Sequence, residues 1–196
     1  MAMTWKDIKV ATLQKMYAAD GDDIPTDGSA DEYLAGMVYA ANEAINMLAT
    51  AGRFLLKSQV IAHDGTNKKY DLTTVINDFY EFEKIMVDDN NSVRDFYKYK
   101  LENNVLILYG VPAGNYTVYY KAYPQQITAS TLDTYVLPMP NEVVVLIPLY
   151  MASQLYKDDD NAIATTLRNE FEVAFERLNP YASYGTQEFT SESGWI

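Results

Sequence analysis

The sequence predicts an α+β fold: an antiparallel helical body with an inserted small antiparallel β-sandwich or barrel and an extended C-terminal arm. Three observations predict it. Apolar residues recur at helical spacing towards both ends of the chain. Residues 54–128 switch to period two and are rich in Tyr, Phe, Val, Ile and Thr. Residues 181–196 are polar and aperiodic, yet end in Trp195-Ile196. The expected division is therefore 1–53 for the first helices of the body and 54–128 for the β insertion. Residues 129–180 would form the helical hairpin that completes the body, and 181–196 the arm.

In chain order, Thr4-Trp-Lys-Asp7 has the spacing of a helix N-cap with an acid at the third helical position. Ile8, Val10, Leu13 and Tyr17 continue at helical intervals until Asp20-Gly-Asp-Asp-Ile-Pro25 breaks the helix. A second helix is expected from Ser29 as cap, with Leu34, Met37, Val38, Ala41, Ile45 and Leu48 on one face and Ala51-Gly52 as its stop. Strands are expected over Phe54–Ala62, Phe79–Val87, Phe96–Leu101, Val105–Tyr109 and Tyr116–Tyr123. Asp71–Asn77 is a connection or a short strand, and Glu102-Asn-Asn104 is a hairpin turn. Tyr116, Val118, Tyr120 and Ala122 share one face of the last strand. A helix over about 141–157 should be kinked by Pro148. Asp158-Asp-Asp-Asn161 then ends it and caps a last helix carrying Ile163, Leu167, Phe171, Ala174, Phe175 and Leu178.

Composition narrows the function. With 196 residues and 48% apolar content the chain can bury a sizeable core. The net charge is −12, from 27 acids against 15 bases. Clustered lysines and arginines, which gripping a phosphate backbone requires, reduce in the sequence to Lys68-Lys69 beside a turn. Holding DNA is therefore not expected of this chain. Zero cysteines exclude disulfides, zinc–thiolate sites and cysteine nucleophiles. The longest apolar run, Val143–Leu149, is too short for a membrane span. No secretory leader is expected from the first residues, and the absence of cysteine fits an intracellular or virion protein.

Catalytic patterns are lacking. His63 precedes Asp64-Gly65 in what reads as an exposed turn, with no nucleophile motif nearby. Gly110-Val-Pro-Ala-Gly114 lacks the Lys-Ser/Thr that phosphate loops need. The acidic stretch Asp20–Asp31 places Pro25 and Asp31 where a calcium loop needs Gly and a bidentate Glu. Asp158–Asp160 reads as helix capping. Glu81 and Glu83 read as an exposed strand face rather than a glycosidase pair. The expectation is no catalytic residue, no metal and no cofactor. The 17 tyrosines, by contrast, suit surfaces that are packed on one side and wet on the other.

One stretch resembles a known family. Leu137-Pro-Met-Pro-Asn-Glu142 leads into Ala152-Ser-Gln-Leu-Tyr156, Asp158-Asp-Asp160 and Asn169-Glu-Phe-Glu172, in the order and spacing of tailed-phage head–tail connector (adaptor) proteins. Tyr119–Thr128 is similar to the β segment that precedes this hairpin in adaptors with a β insertion, and Asp31-Glu-Tyr-Leu34 fits the N-terminal helix. The resemblance implies a non-enzymatic virion protein at the head–tail junction, assembled in the host cytoplasm into a ring, typically a dodecamer. The ring would sit beneath the portal and contact tail or second neck-ring proteins, with DNA passing through its lumen and no membrane involved. The C-terminal arm would dock on the portal, with Tyr181, Tyr184, Phe189, Trp195 and Ile196 as anchors. A competing expectation, drawn from the tyrosines, is a β binding module for carbohydrate or a cell-surface protein.

Overall fold

The computed structural model describes residues 2–17, 21–52, 54–89 and 92–178. Helix α1 (Trp5–Lys15) opens on the expected capping box. The Thr4 hydroxyl accepts the Asp7 N–H at 3.2 Å, and the Asp7 carboxylate accepts the Thr4 N–H at 2.8 Å. The next two amides, which a helix cannot satisfy itself, donate to the returning chain: Trp5 to the Tyr135 carbonyl at 2.7 Å and Lys6 to that of Asp133 at 3.0 Å. Tyr17 is not on the apolar face. The helix stops at Lys15, Met16 takes the buried position, and Tyr17 turns out at φ 56° with 81% of its surface exposed.

Helix α2 (Asp31–Thr50) starts differently from expectation. Ser29 does not cap it, because Asp27 captures both the Ser29 hydroxyl (2.6 Å) and its N–H (3.1 Å) in a local turn. Gly28, at φ 83°, reverses the chain, and the cap position falls to buried Ala30. Met37, Ala41, Ile45 and Leu48 are buried as the periodicity predicts, and Ala40, Ala44 and Ala49 widen the stripe. These small side chains let a later helix approach closely. A Cβ on Gly36 would lie 2.6 Å from a methyl of Leu155.

The insertion contains β1 (Leu56–His63), β2 (Lys69–Asp71), α3 (Leu72–Val75), β3 (Phe79–Asp89), β4 (Ser92–Asp95), β5 (Lys100–Glu102), β6 (Val105–Ile107) and β7 (Gly114–Ala122). These strands form two antiparallel sheets, ordered β1-β7-β3-β4 and β2-β6-β5. Both sheets send side chains into one apolar cluster, from Ile61, Ile85, Val118 and Tyr120 on the first to Tyr70 and Leu106 on the second. The arrangement is a sandwich. Tyr116, Val118, Tyr120 and Ala122 are the buried face of β7, as alternation predicts. Asn103 (φ 47°) and Asn104 (φ 66°) form the two-residue turn between β5 and β6, where both positions need left-handed backbone.

Two segments depart from expectation. Asp71–Asn77 includes a single helical turn, α3, capped by Asp71 and plugging the core with Leu72. Of the strand expected over Phe96–Leu101 only Lys100 and Leu101 are in a strand, β5, because the chain changes sheets between β4 and β5. Phe96 still donates to the Ile85 carbonyl (2.9 Å), after which the Phe96 and Tyr99 rings pack on Tyr116 and Phe82 at 5.1 and 5.4 Å between centroids.

The chain returns to the body through α4 (Asn141–Val144), α5 (Ile147–Leu155) and α6 (Asn161–Leu178). Pro148 does not kink a continuous helix. The chain breaks at Val145-Leu146 and restarts with Pro148 in the first turn of α5, where no donor is needed. Asp160 caps α6, accepting the amides of Ala162 and Ile163 at 2.9 and 3.1 Å. Phe171 of α6 is fully buried against Tyr150 and Phe175, in an apolar cluster shared by α1, α2, α4, α5 and α6.

Body and sandwich meet along α2. Its Ala49 belongs to the sandwich cluster. Its Asn42 side chain mimics a strand partner for the chain leaving β7, donating to the Ile127 carbonyl and accepting the Ile127 N–H, both at 2.8 Å.

Candidate functional site

The residues that sequence reasoning tested for chemistry have structural work. His63 is not in an exposed turn: it ends β1 and is 4% exposed. Its Nε2 lies 3.3 Å from the Val111 carbonyl, which only accepts, so that nitrogen carries the proton and Nδ1 accepts from the Tyr70 hydroxyl at 2.8 Å. Burial pushes the Tyr70 phenol above its ordinary value. The turn residue is Asp64, whose carboxylate accepts the amides of Thr66 and Asn67. On β3, Glu83 sits at an irregularity of the β3–β7 register and pairs with Lys121 at 3.2 Å. Asp159 accepts from the Tyr33 hydroxyl at 2.6 Å, which pins the α5–α6 turn to the start of α2 and raises the Tyr33 phenol to about 12. Among the described residues no three His, Asp or Glu side chains converge as metal ligands.

A polar cluster the sequence did not announce closes one side of the sandwich. Asp78 accepts from Lys57 Nζ (2.6 Å) and from the Tyr120 hydroxyl (2.8 Å). Burial pushes the Asp78 carboxyl up, but the bonds from Lys57 and Tyr120 outweigh it and leave it below its ordinary value. Burial first, then the Asp78 bond, raises Tyr120 to about 12. The carboxylate therefore adds stability above its unfolded pKa of about 3.9, lost as pH falls through the lower folded value. The phenol adds stability below its unfolded value of about 10, lost as pH rises towards 12. The sandwich should loosen at both extremes. Asp78→Asn should weaken both responses, measured as melting temperature against pH.

Charge is distributed unevenly. Residues 54–128 carry nine acids and eight bases, whereas the rest of the chain carries eighteen acids and seven bases. Between Tyr17 and Gly52 there are seven acids and no base. Asp22, Asp27, Asp31 and Glu32, exposed around the start of α2, share that end of the body with Asp158 and Asp159.

The opposite sign gathers on the outer face of the three-stranded sheet. Ile107 of β6 pairs with Lys69 of β2 on one side and Lys100 of β5 on the other, placing all three on one rung. Ile107 is 3% exposed yet lies outside the sandwich cluster. It is the floor of an open groove of about 290 Å³ walled by Tyr97, Tyr99, Tyr109 and the stems of Lys98 and Lys100. Lys68 lies 5.9 Å from the Tyr109 ring centroid. Tyr97 and Tyr109 are 81% and 52% exposed. Sequence reasoning found Lys68-Lys69 but could not join them to Lys98 and Lys100. The hairpin at Asn103-Asn104 sets β5 beside β6 as expected; the missing signal was the pairing of β6 with β2, which lies far off in the chain.

The arm residues Tyr181, Tyr184, Phe189, Trp195 and Ile196 lie outside the described residues. No described helix is long and apolar enough to cross a membrane. Among known proteins, a family model described as "SU10 adaptor protein" matches residues 3–191, a span that takes in every element from α1 to α6. No curated protein matches the chain.

Proposed function

The chain belongs to the SU10 adaptor protein family and is a phage adaptor, and from that premise we propose that it is a structural virion protein forming a ring, a dodecamer, between the capsid portal and the tail. The observation that carries this reading is the extent of the family match, which covers body and insertion together. The helical body forms the ring wall, and the arm, residues 181–196, docks on the portal above. DNA passes through the lumen during ejection, and tail or second neck-ring proteins lie below. The charge supports the lumen assignment: with sixteen acids against seven bases in residues 1–53 and 129–180, the body repels phosphate more than it attracts it. The work is binding, and no bond is made or broken.

The test is a phage from which this protein has been removed. DNA-filled heads without tails are expected by negative-stain microscopy, and labelled protein in intact particles should lie at the head–tail junction. Tailed, infectious particles lacking the protein would overturn the assignment.

A further inference from the structure

Among the described residues, the groove over Ile107 joins an apolar floor and two open tyrosine rings with Lys98 and Lys100 in its lining and Lys68 and Lys69 beside it. Its lysines are unevenly committed. Lys100 pairs with Glu102 at 2.5 Å on open surface, a weak and easily exchanged contact, and Lys98 donates to the Gly110 carbonyl at 3.0 Å. Lys68 and Lys69 are exposed on the rim. Such a surface suits a carboxylate-bearing segment of irregular chain, since the rings give stem contact and the ammonium groups meet acids.

That complement exists on this same chain. Residues 21–32 are an irregular acidic loop leading into the exposed first turn of α2, with Asp22, Asp27, Asp31 and Glu32 open to solvent. Loop and sandwich stand at opposite ends of α2, whose 20 residues span about 30 Å. We propose that the lysine–tyrosine groove of one subunit receives the acidic loop, residues 21–32, of a second copy. Such a contact joins two different patches of identical subunits, so it is head-to-tail, and successive head-to-tail contacts close into a ring when the rotation permits. The inference rests on the ring reading and names one of its contacts.

The test uses the full chain. Self-association is measured by analytical ultracentrifugation at about 50 mM and about 500 mM NaCl, salt concentrations that change the screening length severalfold. Wild-type association should weaken at least tenfold at the higher salt. Reversing the rim (Lys68→Glu with Lys69→Glu) or the loop (Asp22→Lys with Glu32→Lys) should each weaken it by about a hundredfold at low salt, because like charges then face one another. All four positions are exposed, so melting temperatures should hold. Combining the four substitutions in one chain should restore association to within about tenfold of wild type, since the signs again oppose. Association that persists unchanged in the rim variant overturns this contact and leaves the ring standing. Loss of double-stranded DNA retention in that variant, with association intact, would make the groove a phosphate contact and also overturn it. A chain that is monomeric both in solution and in disassembled particles overturns the ring itself.

Discussion

Replacing Phe171 by Asp is expected to unfold the helical body. The ring is fully buried, 5.2 Å from the Tyr150 centroid and 5.9 Å from that of Phe175, with the Arg168 guanidinium 5.7 Å away. Emptying such a site typically costs about 3–5 kcal/mol, and a buried carboxylate adds several more unless it is paired. Arg168 is no ready partner, being held 2.7 Å from Glu172 and stacked 4.6 Å over Tyr150. A total near 5–8 kcal/mol is most or all of the stability of a domain this size. Circular dichroism should show loss of the cooperative helical transition in Phe171→Asp, while Phe171→Leu keeps it at a lower midpoint. A native melting profile for the Asp variant would mean that α6 does not pack as described.

Deleting residues 181–196 should do the reverse: leave the fold intact and remove portal binding. The deletion removes none of the residues that build the apolar clusters, which run from Met3 to Leu178, so the truncated chain should melt within a few degrees of the full one. Two aromatic anchors worth about 2 kcal/mol each at an interface account together for roughly a thousandfold in affinity. Co-sedimentation with purified portal reads the effect directly. Undiminished co-sedimentation of the truncated chain would remove the arm from the docking mechanism.

Much of the fold was legible because its determinants are local. The Thr4–Asp7 box, the apolar stripe of α2, the alternation of β7 and the Asp160 cap each depend on residues within a few positions, and each stands where spacing puts it. The misreadings share a cause: a partner distant in sequence, or a nearer competitor, decided the outcome. Ser29 looked like a cap until Asp27 took its hydroxyl. His63 looked exposed because its neighbours Asp64 and Gly65 are, but Tyr70 and Val111 close over the ring from other segments. Pro148 was correctly a disruption, yet Leu146 had already ended the preceding turn, so proline begins a helix instead of bending one. The groove was invisible for the same reason, since its lysines lie in and just before β2 and β5, which come together only through their shared neighbour β6.

Asn42 and Ala49 give α2 a mechanical property. The helix is unbroken from the acidic loop to the sandwich, Ala49 near its end is buried in the sandwich cluster, and Asn42 in its middle grips the chain that leaves β7. With the attachment made at two levels on one stiff rod, a load on the sandwich is not absorbed by a swivel at the junction. It travels as a torque along about 30 Å of helix and emerges as displacement at the far tip. A tug on the sandwich is thereby delivered to whatever that tip is touching.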